Sequence, residues 1–242
     1  AGGRGLLDPL LVAALRRAVA DPAAMTHAWL ITGPPGSGRS NAARAFAAAL
    51  ECPDGGCGQC HICRTVLSGS HPDVTVLATD RVVLGVDEVR ALVVVASRTP
   101  AESPWRVIIV EDADRMSEQT GNVLLKALEE PAPRTVWVLC APSLADVLVT
   151  VRSRCRHVAL GVPALDEVVD LLVARDGIEP SLAREVAQAA QCHIGMARRL
   201  ARDPAARERR SRVIALAARV RGVADAVAAA EDLTAAAKES AQ

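Results

Sequence analysis

Apolar residues recur along the chain in two alternating rhythms. Short continuous apolar runs at His27–Thr32, Val74–Leu77, Trp105–Val110, Thr135–Cys140 and His157–Leu160 have the length of buried strands. Between them, apolar residues three and four apart predict helices at Arg39–Leu50, Val86–Ser97 and Ser117–Glu130, the last stopped by Pro131. Leu6–Ala20 has the same helical spacing, with poor caps. Strands alternating with helices up to about Val162 predict an α/β domain whose parallel sheet is covered on both faces. After Pro163 the strands stop. Leu165–Ala174, Ser181–Ala190 and Met196–Ala201 predict short helices, and a longer helical stretch begins at Ala205, Arg-rich first and Ala-rich later. The pattern divides the chain into an α/β domain over residues 1–162, a small helical domain over 163–204 and the beginning of a third, helical domain over 205–242, which the chain is expected to leave unfinished.

Composition narrows the classes. Half of the 242 residues are hydrophobic but only 2% are aromatic, so Ala, Val and Leu must fill the core. The formal net charge is zero, so no global basic field draws in nucleic acid; a DNA-binding role needs a local patch or partner subunits. No apolar run reaches membrane-spanning length, and Ala1–Asp8 lacks the charged start and long apolar stretch of a signal peptide. A soluble, intracellular chain is expected.

In a reducing compartment, seven cysteines with four clustered favour metal binding over disulfides. Cys52-x4-Cys57-x2-Cys60-x2-Cys63 brings four thiols within twelve residues, enough to close a tetrahedral Zn²⁺ site with no position left for water. Such a site, at residues 52–63, is structural. His61 lies between better ligands, and Cys140, Cys155 and Cys192 read as buried thiols. His27, His71, His157 and His193 show no catalytic spacing and are taken as structural.

Gly33-Pro-Pro-Gly-Ser-Gly-Arg39-Ser40 matches the phosphate-binding loop G-x-x-x-x-G-K-[ST] except at one position, and it follows a strand and opens a helix as the motif demands. Gly33, Gly36 and Gly38 let backbone N–H groups wrap phosphates, and Ser40 stands where Mg²⁺ is ligated. Arg39 replaces the usual lysine with a bulkier planar group. It leaves ATP and Mg²⁺ binding open and argues against hydrolysis.

The run Arg106–Val110 followed by Glu111-Asp112 resembles a Walker B strand with its acids reversed. Glu111 is one methylene too long for the metal position and Asp112 one too short to orient water; placement errors near 1 Å can cost on the order of 10²-fold. The same acids also read as caps of the next helix.

Gly33–Ser40, Val107–Asp114, Asn122-Val-Leu-Leu-Lys-Ala-Leu-Glu-Glu-Pro131 and Arg152-Ser-Arg-Cys-Arg156 occur in that order. Together they resemble the bacterial clamp-loader AAA+ subunits of DNA polymerase III, and within that group the delta prime type rather than the gamma/tau motor. The resemblance runs from about His27 to Arg199. It implies an AAA+ sheet with an inserted zinc module, a helical lid and a helical collar. It also implies an arginine finger: Arg154 of the Ser-Arg-Cys segment reaching the ATP of a neighbouring subunit, with Arg198 at the start of a sensor-2 helix. Ala141-Pro142 stand where a polar sensor-1 residue is expected. Arg39, the Glu111-Asp112 order and Ala141-Pro142 are three departures from a working ATPase.

The implied role is in DNA replication, as a subunit of the DNA polymerase III holoenzyme. It would assemble in the cytoplasm, at the nucleoid, with gamma/tau and delta to place a sliding clamp on primer-template DNA. Two alternatives are an ATP-hydrolysing gamma/tau-type motor and a P-loop phosphotransferase. Against the latter stand the helical stretch from Ala205, the Ser-Arg-Cys segment and the lack of a substrate acid or base.

Overall fold

The computed structural model describes residues 25–239, so the helix expected at Leu6–Ala20 lies outside the described residues. The chain forms two compact units that meet between Ala164 and Leu165.

The first unit runs β1 (Ala28–Thr32), α1 (Arg39–Glu51), α2 (His61–Ser68), β2 (Val74–Leu77), α3 (Val86–Ala96), β3 (Arg106–Val110), a 3₁₀ turn (Ala113–Arg115), α4 (Glu118–Glu129), β4 (Thr135–Ala141), α5 (Val149–Arg152) and β5 (Arg156–Ala159). The five strands form one sheet in the order β2-β3-β4-β1-β5, every pair parallel. The three central strands are buried throughout, which is why their sequences read as unbroken apolar runs rather than alternating ones.

Alternate residues of each strand serve opposite faces. Trp29, Ile31, Val107, Ile109, Val136 and Val138 pack with Ala43, Phe46 and Ala47 of α1 and Val66 of α2. The Trp29 and Phe46 rings meet edge to face, 5.2 Å between centroids. On the other face Leu30, Ile108, Val110, Trp137 and Leu139 pack with Leu92 of α3, Leu124 and Leu128 of α4 and Val151 of α5.

The last strand differs from expectation. It spans Arg156–Ala159 rather than His157–Leu160, and it is mostly exposed because it forms a sheet edge. Charged residues suit an edge, where they discourage pairing with another chain. The Arg156 guanidinium lies 5.1 Å from the centre of the Trp29 ring, and His157 Nε2 is 2.7 Å from Thr32 Oγ1.

A buried ion pair ties down the opposite end of the sheet. Asp73, just before β2, is fully buried and accepts from Arg106 Nη2 at 2.9 Å. The backbone N–H groups of Ala101, Glu102 and Ser103 also donate to it at 2.7, 2.8 and 3.0 Å. Burial pushes the Asp73 carboxyl up, but these donors and Arg106 outweigh burial and hold it below the usual carboxylate range. Asp73→Ala leaves Arg106 charged and buried, so a loss of about 3–5 kcal/mol is expected in chemical denaturation. Because the folded pKa is depressed, the Asp73 contribution is present above the unfolded value near pH 4 and fades as pH falls through the folded value.

The second unit contains α6 (Leu165–Asp176), α7 (Pro180–Ala189), α8 (Ile194–Arg202), α9 (Pro204–Arg219) and α10 (Val223–Glu239). Val168, Val169, Leu172, Ala183, Val186, Ala187, Ala197 and Leu200 are its buried apolar positions on α6, α7 and α8. The single long helical stretch expected from Ala205 is two helices. Gly222 disfavours helix at the break, and the Arg221 N–H is taken by Asp225 Oδ2 at 3.0 Å.

Candidate functional site

The phosphate-loop sequence lies at the carboxyl edge of the sheet, between β1 and α1. Gly33 N–H donates to the carbonyls of Ala141 and Pro142 at 3.3 and 3.2 Å, joining the loop to the end of β4. A Cβ at Gly33 would sit 2.9 Å from the Leu160 carbonyl oxygen, so the loop passes too close to the neighbouring backbone for a side chain. Gly36 and Gly38 have φ of 85° and 88°, the left-handed region that glycine enters without strain. No acidic side chain occupies the first turn of α1.

The charged groups expected to serve a nucleotide are bound within the chain. The Arg39 guanidinium folds back to donate to the Gly33 carbonyl. Glu111, at the end of β3, is held by Arg44 of α1, with Nη2 and Nε at 2.8 and 3.2 Å from Oε1. Asp112 accepts from Thr79 N–H at 3.1 Å, and Arg115 lies 3.7 Å away. Beside them the fully buried Cys140 thiol is pushed up to about 12, by burial first and then by Glu111. Ser143 donates to Asp146 at 2.8 Å.

Arg198 lies in the second unit, on α8, with Nη2 3.0 Å from Asp176 Oδ1. Arg202 and Arg175 converge on the same carboxylate at 3.2 and 3.1 Å. Burial pushes Asp176 up, but Arg175 and Arg198 outweigh it and hold the group below its ordinary range.

Arg154 follows α5, a four-residue helix that the apolar pattern was too short to reveal. The turn is fixed by Arg154 N–H to Val151 O at 3.1 Å and Cys155 N–H to Arg152 O at 3.2 Å. The Arg154 side chain is 35% exposed. It donates to Thr150 O at 2.7 Å and Ser153 Oγ at 3.3 Å, and pairs with Glu129 at the end of α4. Cys155 and Cys192 are half-buried rather than buried; burial still pushes the Cys155 thiol up to about 12.

The four clustered cysteines converge. Their sulfurs lie within 4.8 Å of one another, with Cys52–Cys57, Cys52–Cys60 and Cys57–Cys63 at 3.9, 3.7 and 4.0 Å. A tetrahedral ion with metal–sulfur bonds of about 2.3 Å requires edges of about 3.8 Å, so the cluster fits such an ion. The Cys60 and Cys63 N–H groups donate to the Cys57 and Cys60 sulfurs, both at 3.4 Å. The Cys57 N–H is the main cause that lowers the Cys52 thiol to about 6. Burial raises Cys63 to about 12, a cost that a coordinated cation reverses. Helix α2, hidden from the apolar pattern by the cysteine spacing, carries Cys63 into the core beside Val66.

Against known sequences, residues 8–163 match the family described as DNA polymerase III, delta subunit. The chain belongs to that family. The DNA polymerase III subunit delta' of Pseudomonas aeruginosa is 34% identical over 165 residues, covering 66% of this chain and 50% of the relative. That of Bacillus subtilis is 32% identical over 195 residues, covering 79% of this chain and 59% of the relative. The chain therefore spans about half to three-fifths of the length of these relatives. Among solved structures, a DNA polymerase III gamma subunit-related protein of Thermotoga maritima superposes with a TM-score of 0.54 at 23% identity, over 76% of this chain and 57% of that one. That likeness shows a shared α/β fold, and the relatives named delta' support a delta prime type within the family.

Proposed function

We propose that the chain acts as the delta prime subunit of a DNA polymerase III clamp loader, a non-hydrolysing partner that supplies Arg154 to a neighbour's nucleotide. Gamma/tau and delta are its partners in the cytoplasm, and the assembly places a sliding clamp on primer-template DNA. The observation that carries this reading is the contrast between two sets of charges. Arg39 and Glu111 would each have to give up a partner in their own chain to serve a nucleotide in the loop, whereas Arg154, though held by Thr150, Ser153 and Glu129, keeps further guanidinium donors unengaged on a partly exposed turn. Mg²⁺ at Glu111 would have to displace Arg44, and Arg39 would have to leave Gly33 to reach a phosphate. A guanidinium at the position of Arg154 offers fixed donors to the charge that develops during phosphoryl transfer.

In this reading residues 52–63 hold one structural Zn²⁺ through Cys52, Cys57, Cys60 and Cys63. Residues 163–204 form the lid and 205–242 belong to the collar. Among the described residues no helix is long and apolar enough to cross a membrane. The purified chain is expected to turn over ATP no faster than buffer in a steady-state phosphate-release assay. Robust turnover by the isolated chain would overturn the reading in favour of a gamma/tau-type motor.

A further inference from the structure

We infer that Glu129 is a positioning residue that holds Arg154 in the orientation used across the subunit interface. The inference rests on the proposed trans role of Arg154.

Three observations converge on it. First, α5 is seated closely on α4: Gly121 has no side chain at the point where a Cβ would collide with Leu148, and Val151 is fully buried. The backbone of the Ser153–Cys155 turn is therefore fixed relative to α4, whose last residue is Glu129. Second, the turn itself holds only one edge of the guanidinium. Nη1 is taken by Thr150 O and Ser153 Oγ; Nη2 goes to Glu129, 25 residues away in sequence. Without that anchor the long arginine side chain regains much of its rotational freedom. Third, Glu129 occupies a poor place for a carboxylate on its own. It ends a helix, where the partial negative charge of the backbone disfavours an acid, and Glu130 follows it. Arg154 compensates for both.

The side chains of the pair are 35% and 48% exposed, so it adds little to folding stability. Its effect is geometric. With Nη1 and Nη2 anchored, the donors not engaged by Thr150, Ser153 and Glu129 project from a fixed plane. They can meet a phosphate oxygen without first ordering the side chain.

The test uses the chain assembled with gamma/tau and delta, and compares Glu129→Ala, Glu129→Asp and Arg154→Ala with the double variant. Glu129→Ala is expected to lower kcat of the DNA-dependent ATPase roughly 10-fold or more, with KM unchanged, since misplacement by about 1 Å can cost 10²-fold. Glu129→Asp should recover part of the rate. In the Arg154→Ala background, Glu129→Ala should add nothing, and the thermal midpoint of each single variant should match that of the parent. If Glu129→Ala does not assemble, the near-isosteric Glu129→Gln replaces it, with a smaller drop in kcat expected.

A parental rate in Glu129→Ala, or an undiminished effect in the Arg154→Ala background, overturns the positioning role while the finger stands. A parental rate in Arg154→Ala overturns both.

Discussion

Arg154→Ala in the assembled complex is expected to slow ATP turnover at the site it faces on the order of 10³-fold, the lower range for loss of an arginine finger. The variant should leave the chain's own fold intact, because the side chain is partly exposed and its ion pair with Glu129 contributes little to stability. Lysine is a poor substitute: a point charge on a flexible stem cannot reproduce the planar fork that donates to Thr150 and Glu129 together. The measurement is steady-state ATPase with primed DNA, alongside gel filtration to establish that the complex still assembles. An unchanged rate in an intact complex would remove the finger assignment.

Metal removal is expected to have the largest effect on structure. In zinc-finger peptides the apparent binding free energy of structural zinc is about 10–16 kcal/mol near neutral pH, and most of it is folding energy. Here the module is not peripheral. Cys52 and Cys63 are buried in the same core as Trp29, Phe46 and Val66, so losing the ion loosens one face of the sheet as well as residues 52–63. The expected stoichiometry is about one zinc per chain by atomic emission. Chelation, Cys60→Ser or acidification should release the ion and lower the thermal midpoint. Acid acts because the ligands are thiolates and protons compete for them. Metal-free protein with the parental midpoint would contradict the assignment.

The parts of the fold legible in the sequence are those where one physical cause dominates. β1, β3 and β4 are buried on both faces, and their apolar runs announce them. The cysteine spacing likewise fixes a converging set of sulfurs, because loops this short leave four thiols few places to go. The edge strand is less legible, since its exposed residues dilute the apolar signal that marks a strand. Helix α5 is only four residues long, barely one turn, and helix α2 begins inside the cysteine motif, whose spacing masks its apolar positions.

Pairings between distant residues leave no trace in a single sequence. Arg44 and Glu111 are 67 positions apart, Arg154 and Glu129 are 25 apart, and only folding brings them together. These pairs carry most of the functional argument. The reversed acids and Arg39 raise doubts about catalysis at the loop from sequence alone. The ion pair to Arg44 and the contact of Arg39 with Gly33 give those doubts a physical form, since each charge a nucleotide would need from these residues already has a partner.

In the proposed role the chain serves a clamp loader through Arg154 and not through its own loop. Its most direct test is the DNA-dependent ATPase of gamma/tau and delta assembled with and without this chain. Adding the chain, itself inactive, is expected to raise turnover well above the sum of the separate components. An ATPase rate indifferent to its presence would contradict this role.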